Sequence, residues 1–227
     1  MCGRYTIVKS AKELEKQFEI DINKEVYQPS YNLAPTQIAP VITNASPKQA
    51  SFLQWGLIPS WAKDQSIGYK MINARSETLL EKPAFKTSFQ NKRCVVLVDG
   101  FYEWKNQGKL KIPSYISLTS NKTFALAGLW DSWKNPTGEN VSTFTIITTK
   151  ANTFMQQIHQ RMPCIFESNQ QIKLWLDENI SASEHFSLLQ PIENEKMKMH
   201  EVSVLVNSPK NNKPSLISHV ENFGTLF

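Results

Sequence analysis

Several features of membrane, secreted and zinc-binding proteins are missing from this sequence. No apolar run in its 227 residues approaches the ~18–20 residues needed to span a bilayer. The first residues lack the basic-then-apolar pattern of a secretory signal, so we expect a cytoplasmic protein. Only three cysteines are present, and they form no CxxC or Cys/His cluster of the kind that binds zinc. We therefore expect three reduced thiols.

Internal repeats, low-complexity segments and long linkers are also missing. Glycine is scarce, with 8 residues, whereas 41% of the chain is hydrophobic, as in an ordinary folded protein. We therefore predict one domain over residues 1–227, with a loosely packed tail from about residue 211. The net charge of +5 permits a polyanionic partner without requiring one.

Local patterns predict a β-rich middle with a few short helices. Residues 10–13 have the form of a capping box, which predicts a helix with Leu14 and Phe18 on one face. Prolines recur between residues 28 and 70, which predicts loops and short strands there. Strands are predicted at 94–99, 113–119, 124–129, 143–149 and 200–206, with a turn at 105–109, and helices at 152–159 and 168–179. Because the strands are bunched together rather than alternating with helices, the predicted fold class is α+β.

Cys2 is the candidate reactive residue. Removal of Met1, which is usual before a small residue, gives Cys2 a free α-amine beside its own thiol. Such an amine has a pKa near ~7.8 against ~10.4 for lysine, so about a tenth of it is unprotonated at pH 7. Together the two groups form a 1,2-aminothiol, which captures an aldehyde as a thiazolidine, or Cys2 acts as an N-terminal nucleophile on an acyl group. Cys94 and Cys164 lie among apolar residues, and we expect them in the core.

Five short motifs occur in a fixed order along the chain: Met-Cys-Gly-Arg-Tyr at 1–5, Tyr-Asn-Leu-Ala-Pro at 31–35, Ile-Asn-Ala-Arg-Ser-Glu at 72–77, Asp-Gly-Phe-Tyr-Glu-Trp at 99–104 and Ile-His-Gln-Arg-Met-Pro at 158–163. Together they strongly resemble the SRAP (SOS response-associated peptidase) family, to which the eukaryotic sensor of abasic sites belongs. The segments at 55–61 and 202–207 fit the same pattern, so the resemblance runs over essentially the whole chain.

The resemblance implies a fold and a reaction. The fold is a single SRAP-like domain with a barrel-like core of mostly antiparallel strands surrounded by short helices. The reaction is a thiazolidine crosslink between Cys2 and the ring-opened aldehyde of an abasic site in single-stranded DNA, which shields the lesion. Carried over by motif, the catalytic residues are Cys2, Asn73, Glu103 and His159. No metal, organic cofactor or protein partner is implied, and nothing requires more than a monomer.

Each residue of this set has chemistry that suits the reaction. An imidazole takes or gives a proton near neutral pH, so His159 can help to open the sugar. Glu103 can accept a proton from the Cys2 ammonium and return it to the departing hydroxyl, and the amide of Asn73 can orient the amine or the sugar oxygen.

DNA contacts follow from the same resemblance. They are expected at Arg4, Asn32, Trp61, Arg75 and Arg161, with the guanidinium groups on phosphates and Trp61 stacked on a base. Where the family pattern often has a second aromatic after Trp61, this chain has Ala62. Two other functions stay open: a cysteine peptidase with Cys2 as nucleophile and His159 as base, and a DNA-binding module without covalent chemistry.

Overall fold

A computed structural model of the chain describes residues 2–220. Within them lie thirteen strands: β1 Tyr5–Ile7, β2 Ser30–Leu33, β3 Ile38–Thr43, β4 Ser46–Trp55, β5 Asn73–Arg75, β6 Arg93–Val98, β7 Gly100–Gln107, β8 Leu110–Leu118, β9 Phe124–Lys134, β10 Asn140–Lys150, β11 Arg161–Pro163, β12 Ile165–Phe166 and β13 Met197–Glu201. The α-helices in the same range are α1 Ala11–Phe18, α2 Pro83–Asn91, α3 Thr153–Gln156, α4 Asn169–Leu176 and α5 Ala182–Ser187.

Five strands close into a barrel, in the order β4, β3, β6, β9 and β10. Every pairing around it is antiparallel except that of β10 with β4, which closes the barrel with parallel strands. A second sheet is antiparallel throughout and has the order β13, β8, β7, β1, β2. The predicted α+β fold with a mostly antiparallel, barrel-like core is therefore confirmed.

The core lies inside the barrel and under α2 and α4. Strand β6 is buried along its whole length, because α2 and α4 pack against it outside the barrel. Cys94 and Cys164 are both buried in this core, as predicted. The indole of Trp175 in α4 donates a 2.9 Å hydrogen bond to the Cys94 carbonyl, which fixes the helix on the strand.

Local sequence signals succeed at the start of helices and fail in the proline-rich segment. The capping box before α1 is present, and Leu14 and Phe18 are buried as predicted. The prediction of loops and short strands between residues 28 and 70 agrees with β2 and β3 but not with the ten-residue β4. Pro40 precedes the part of β3 that pairs with β6, and Pro47 lies beside the bulge at the β3–β4 turn. Both prolines thus occupy places where a strand tolerates a missing donor.

The predicted strand at 200–206 is wrong beyond its first two residues. Strand β13 ends at Glu201, and Val204–Asn207 form a 3₁₀ turn because the Ser203 hydroxyl caps the Leu205 amide. The tail from residue 211, which was predicted to pack loosely, packs against the domain up to residue 220. Leu216 is fully buried, and the amide of Val220 donates to the Glu201 carbonyl. Residues 221–227 lie outside the described range. None of the helices within residues 2–220 has the length and apolar character that crossing a bilayer requires.

Candidate functional site

Cys2 and Glu103 are brought together by the pairing of β1 with β7. Tyr5 aligns with Phe101 in this antiparallel pair. The register, continued towards the N-terminus, sets residue 3 opposite Glu103 and so places Cys2 beside the carboxylate. Cys2 is fully buried and Glu103 is 3% exposed. A thiol and a carboxylate therefore share a nearly dry environment.

Gly100, in the Asp-Gly-Phe-Tyr-Glu-Trp motif, allows β1, β7 and β8 to pack closely here. A Cβ at this position would lie 2.4 Å from the ring of Tyr115, so no other residue fits without a shift. The Tyr115 hydroxyl lies 3.0 Å from the Thr6 hydroxyl, and Thr6 pairs with Gly100 across the strands. The glycine thus lets the tyrosine of β8 lock β1 against β7.

Asn73 reaches Cys2 from the barrel. It begins β5, which runs parallel to β10 with Asn73 aligned to Ile146. Its Nδ2 atom donates a 2.8 Å hydrogen bond to the Cys2 carbonyl. Its Oδ1 atom is buried and has no hydrogen-bond partner in the described part of the chain. A buried amide oxygen of this kind is an acceptor available to a substrate.

His159 follows α3 in the short loop that leads to β11. Its Nδ1 atom accepts a 2.9 Å hydrogen bond from the Arg161 amide. In the neutral ring the proton is therefore on Nε2, which is the nitrogen available for a substrate. When the ring is protonated, Nδ1–H has the Arg161 carbonyl 3.2 Å away as its acceptor. Both protonation states are thus held in one orientation.

Glu103 and His159 line a common pocket of about 510 Å³. The remaining lining residues are Trp104, Asn106, Lys111 and Asn207. The Trp104 indole donates to the Asn207 side-chain oxygen at 2.8 Å, which fixes one wall. Another cavity, of about 430 Å³, lies beside α1 and α4 and shares none of these residues. In residues 2–220, no three His, Cys, Asp or Glu side chains are grouped so as to hold a metal ion.

The electrostatics of the site favour the neutral thiol. Burial raises the pKa of the Cys2 thiol well above its ordinary value, and the nearby carboxylate of Glu103 raises it further. A thiolate at Cys2 is therefore disfavoured near neutral pH, which separates this site from cysteine nucleophiles with a lowered pKa.

Arg4 and Asn32, both expected to contact DNA, are joined to each other. The Nη1 atom of Arg4 donates to Asn32 Oδ1 at 2.8 Å and to the Val206 carbonyl at 3.0 Å. Asn32 is buried, and its Nδ2 atom is shared among the carbonyls of Val206, Ser208 and Asn211. These contacts favour a role for Asn32 in holding the 206–211 segment against β2. Arg4 is half-buried beside it, next to the reactive end of the chain.

Arg161 and Arg75 differ in what surrounds them. Arg161 donates to the Glu77 carboxylate and to the Thr148 carbonyl, each at 2.5 Å. The hydrogen bond from Arg161 to Glu77 holds the pKa of the Glu77 carboxyl below its ordinary value. Arg161 therefore ties the Asn73 segment to the loop that carries His159. Arg75 is exposed, aligned with Thr148 on β10, and in no ion pair to the residues that the structure describes.

Trp61 lies on the surface with a second aromatic side chain nearby in sequence. Trp61 is 59% exposed, and Tyr69, in the 3₁₀ turn at Gln65–Lys70, is 66% exposed. A cavity of about 410 Å³ at Trp61 is lined further by Lys63 and Lys70. Ala62 is half-buried and its carbonyl accepts from the Trp133 indole, so it takes no part in stacking. The exposed ring of Tyr69 is a further candidate that the sequence analysis did not single out.

Comparisons with known proteins agree on one family. The sequence profile described as SOS response associated peptidase (SRAP) matches residues 1–209. The chain is 48% identical over 222 residues to the "Abasic site processing protein YoqW" of Bacillus subtilis (strain 168), covering 96% of this chain and 99% of that relative. It is 35% identical over 232 residues to the "Abasic site processing protein HMCES" of Xenopus tropicalis, covering 88% of this chain and 69% of that relative.

The fold comparison gives the same result. A crystal structure of a protein from Bacteroides thetaiotaomicron superposes with a TM-score of 0.89 at 30% identity. The superposition covers 97% of this chain and 100% of that chain. A protein from Bordetella bronchiseptica has the same fold, with a TM-score of 0.79 at 22% identity.

Proposed function

Because the chain belongs to the SOS response associated peptidase (SRAP) family, whose relatives compared above are named abasic site processing proteins, we propose that it captures abasic sites in DNA covalently through Cys2. The substrate is single-stranded DNA, and the product is a DNA–protein crosslink that shields the lesion. The protein acts as a monomer, in the cytoplasm and on damaged chromosomal DNA.

The proposed reaction joins the amine and thiol of Cys2, after loss of Met1, to the aldehyde of the ring-opened sugar. The nitrogen attacks the aldehyde carbon and one water leaves, which gives a C=N bond. The S–H bond then adds across it, with sulfur going to carbon and the proton to nitrogen. The product is a five-membered thiazolidine, and no electrons are gained or lost.

The other three residues move protons and hold the reacting groups. Glu103, beside Cys2, takes a proton from the ammonium group and returns it to the hydroxyl that leaves as water. The Nε2 atom of His159 exchanges a proton with the sugar hydroxyl, so that the closed sugar opens to the aldehyde. Asn73 holds the Cys2 main chain through Nδ2 and accepts from the substrate through Oδ1.

The single observation that carries the proposal is that Glu103 and His159 line one pocket beside a buried Cys2 whose main chain is held by Asn73. DNA binding is supported by the exposed Arg75, Trp61 and Tyr69 and by the half-buried Arg4. Arg161 and Asn32 support binding by holding the segments around the pocket.

The test is a denaturing gel of the purified protein mixed with single-stranded DNA that carries one abasic site. We expect a heat-stable adduct with the processed protein and none with Cys2→Ala or with protein that retains Met1. Cys94→Ala is the matched control, because it removes a thiol that is equally buried but lies in the barrel core. Absence of an adduct with correctly processed wild-type protein contradicts the proposal.

Other outcomes identify the two competing functions. Turnover of casein or a peptide that depends on Cys2 and His159 identifies a peptidase. DNA binding that survives Cys2→Ala, without a covalent species at any time, identifies a simple binding module. Glu103→Gln separates catalysis from binding: we expect it to slow adduct formation by about 10²-fold while DNA affinity stays within a few-fold.

A further inference from the structure

The hairpin formed by β7 and β8 ends in a basic segment that the proposed reaction leaves unexplained. Residues 105–111, here called the basic arm, contain three lysines and no acidic residue. Its strands stay paired to the tip, with Asn106 opposite Lys111 and Gln107 opposite Leu110. Gly108, with φ +61, supplies the backbone conformation that a two-residue turn requires. The arm is therefore an ordered extension of the sheet.

The cations of the basic arm have no ion-pair partner among residues 2–220. Every residue from 105 to 111 is exposed, and Leu110 at the tip is 68% exposed. In residues 2–220, no carboxylate lies within ion-pairing distance of Lys105, Lys109 or Lys111. Three unpaired charges on a short hairpin produce a local positive field that attracts polyanions.

The base of the arm opens directly into the reaction pocket. Asn106 and Lys111, which face each other across the two strands, line the same 510 Å³ pocket as Glu103 and His159. The positive surface therefore begins at the proposed catalytic residues and runs outward along the hairpin. Consider a DNA strand with one sugar between Glu103 and His159. If it leaves the pocket on this side, it passes Lys111 first and Lys109 next.

We infer that the basic arm is a phosphate-binding element, which holds the DNA strand on one side of the abasic nucleotide. Lys111 binds the phosphate nearest the pocket, Lys109 binds the next phosphate outward, and Leu110 packs against a sugar or base. Because the arm is continuous with the pocket, a nucleic-acid strand fits it better than an acidic protein does. The inference rests on the proposed function only in naming this strand as the substrate.

The first test measures binding without covalent chemistry. The double variant Lys109→Ala/Lys111→Ala is titrated with an unmodified thymidine oligonucleotide between about 50 and 200 mM salt, and the slope of log K against log salt is compared with that of wild type. We expect the slope to fall by about 0.7 for each lost phosphate contact, hence by about 1.4 in the double variant. Lys122→Ala is the matched control, since Lys122 lies in the turn at the opposite end of β8 and should leave the slope unchanged. Lys109→Arg/Lys111→Arg, which keeps both charges, should retain the wild-type slope.

The second test locates the arm on the strand. Oligonucleotides carry the abasic site at the 5′ end or at the 3′ end, so that nucleotides flank it on one side only. We expect the double variant to slow adduct formation on one of the two substrates and to match wild type on the other. Equal rates on both, or an equal loss on both, overturn the inference, as does an unchanged salt slope.

The two proposals fail in different ways. If wild type binds DNA with an arm-dependent salt slope but forms no adduct, the arm binds phosphate and the crosslinking proposal is wrong. If adducts form normally and neither the slope nor the rates depend on the arm, crosslinking stands and the arm proposal is wrong.

Discussion

The side-chain amide of Asn73 donates a 2.8 Å hydrogen bond to the main-chain carbonyl of Cys2, although the two residues are 71 positions apart in the sequence. Asn73 begins β5, which pairs with β10 of the barrel, whereas Cys2 leads into β1 of the second sheet. The bond therefore joins the two sheets at the residue that carries the proposed chemistry. It also occupies the donor of the amide and leaves its buried oxygen as an acceptor.

This geometry predicts different consequences for two substitutions of Asn73. Asn73→Asp keeps Oδ1 but replaces the donor with an oxygen that repels the Cys2 carbonyl, and Asn73→Ala removes both atoms. We expect each to slow adduct formation by about 10²-fold, the usual cost of misplacing a reacting group, with a smaller change in DNA affinity. Single-turnover rates measure the first effect and fluorescence anisotropy the second.

The matched control is Asn44→Asp, because Asn44 is a buried amide that holds the Asn91 carbonyl far from the pocket. It should lower thermal stability without slowing adduct formation. A rate for Asn73→Asp equal to that of wild type removes the assigned role.

The buried thiols predict a loss of stability at alkaline pH. Burial raises the pKa of Cys2, Cys94 and Cys164 well above the ordinary value of about 8.5, so the folded protein keeps three protons that the unfolded chain releases. The unfolded state then binds fewer protons than the folded state, and the free energy of unfolding falls as pH rises above about 8.5. Each thiol contributes up to roughly 1.4 kcal/mol per pH unit when the unfolded thiol is fully ionised, and about half of that at pH 8.5.

Urea unfolding between about pH 8 and 9, where less than about a tenth of each unfolded tyrosine is ionised, measures this slope. Cys94→Ala lowers stability at every pH because it leaves a cavity, but it also removes one titrating group. We therefore expect the slope of stability against pH to be about one third smaller in this variant. An identical slope shows that Cys94 is not the source of the pH dependence.

Replacing His159 with Asn should preserve the local structure better than replacing it with Gln. Neither replacement should support the reaction. In Asn, the side-chain oxygen lies near the position of Nδ1 and can still accept from the Arg161 amide, whereas in Gln a polar atom reaches the position of Nε2. Neither amide exchanges protons near neutral pH. We expect both variants to fold and to form adducts about 10²-fold more slowly, with Asn closer to wild type in melting temperature.

A readout that separates catalysis from binding makes this test specific. Single-turnover adduct formation should slow in both variants, whereas DNA affinity should stay within a few-fold of wild type. A wild-type rate in His159→Gln assigns the proton transfer to another group.

Arg75 and Arg161 should separate DNA binding from structural support. Arg75 is exposed and available for a phosphate, so Arg75→Ala should lower the salt slope by about 0.7, as expected for one contact to a single strand. Arg161 is held by Glu77 and the Thr148 carbonyl, so Arg161→Ala should lower stability and leave the slope close to that of wild type. If the two variants lose the same amount of salt slope, Arg161 contacts the DNA as well.

Glu77→Gln tests the partner of that ion pair. Since the Glu77 side chain is 40% exposed, solvent screens the interaction and we expect a loss of about 0.2–1 kcal/mol. The hydrogen bond from Arg161 lowers the pKa of Glu77, so its contribution is present above the unfolded value of about 4.3 and lost as pH falls through the folded value. Chemical unfolding at pH 7 and pH 3 should therefore show the wild-type advantage only at pH 7.

Local sequence predicts the elements that local chemistry controls. The capping box before α1 is one case, since its hydrogen bonds span only residues 10–13. The parallel closure of β4 with β10 was not predicted, because it depends on contacts between distant segments. The same holds for the site: Cys2 and Glu103 meet through a pairing between residues nearly a hundred positions apart. The four catalytic candidates were named by motif resemblance, which no local propensity supplies, and Tyr69 carried no signal until its exposure was visible.

Trp61 and Tyr69 are exposed aromatic side chains that follow β4, and we predict that each stacks on a base. Both rings are more than half exposed although aromatic side chains usually bury most of their area, and Lys63 and Lys70 flank the cavity at Trp61. Loss of one base–aromatic stack costs about 1–3 kcal/mol, so Trp61→Ala should weaken binding of an unmodified oligonucleotide by roughly 5- to 150-fold. Tyr69→Ala should weaken it to a comparable degree, and Tyr69→Phe, which keeps the ring, should bind like wild type.

The control is Leu80→Ala, which removes an exposed apolar side chain without a ring. Tyr27→Phe is a poor control because the Tyr27 hydroxyl donates to the Lys9 carbonyl. If Leu80→Ala and Trp61→Ala weaken binding equally, the effect is general surface loss and the stacking assignment is wrong.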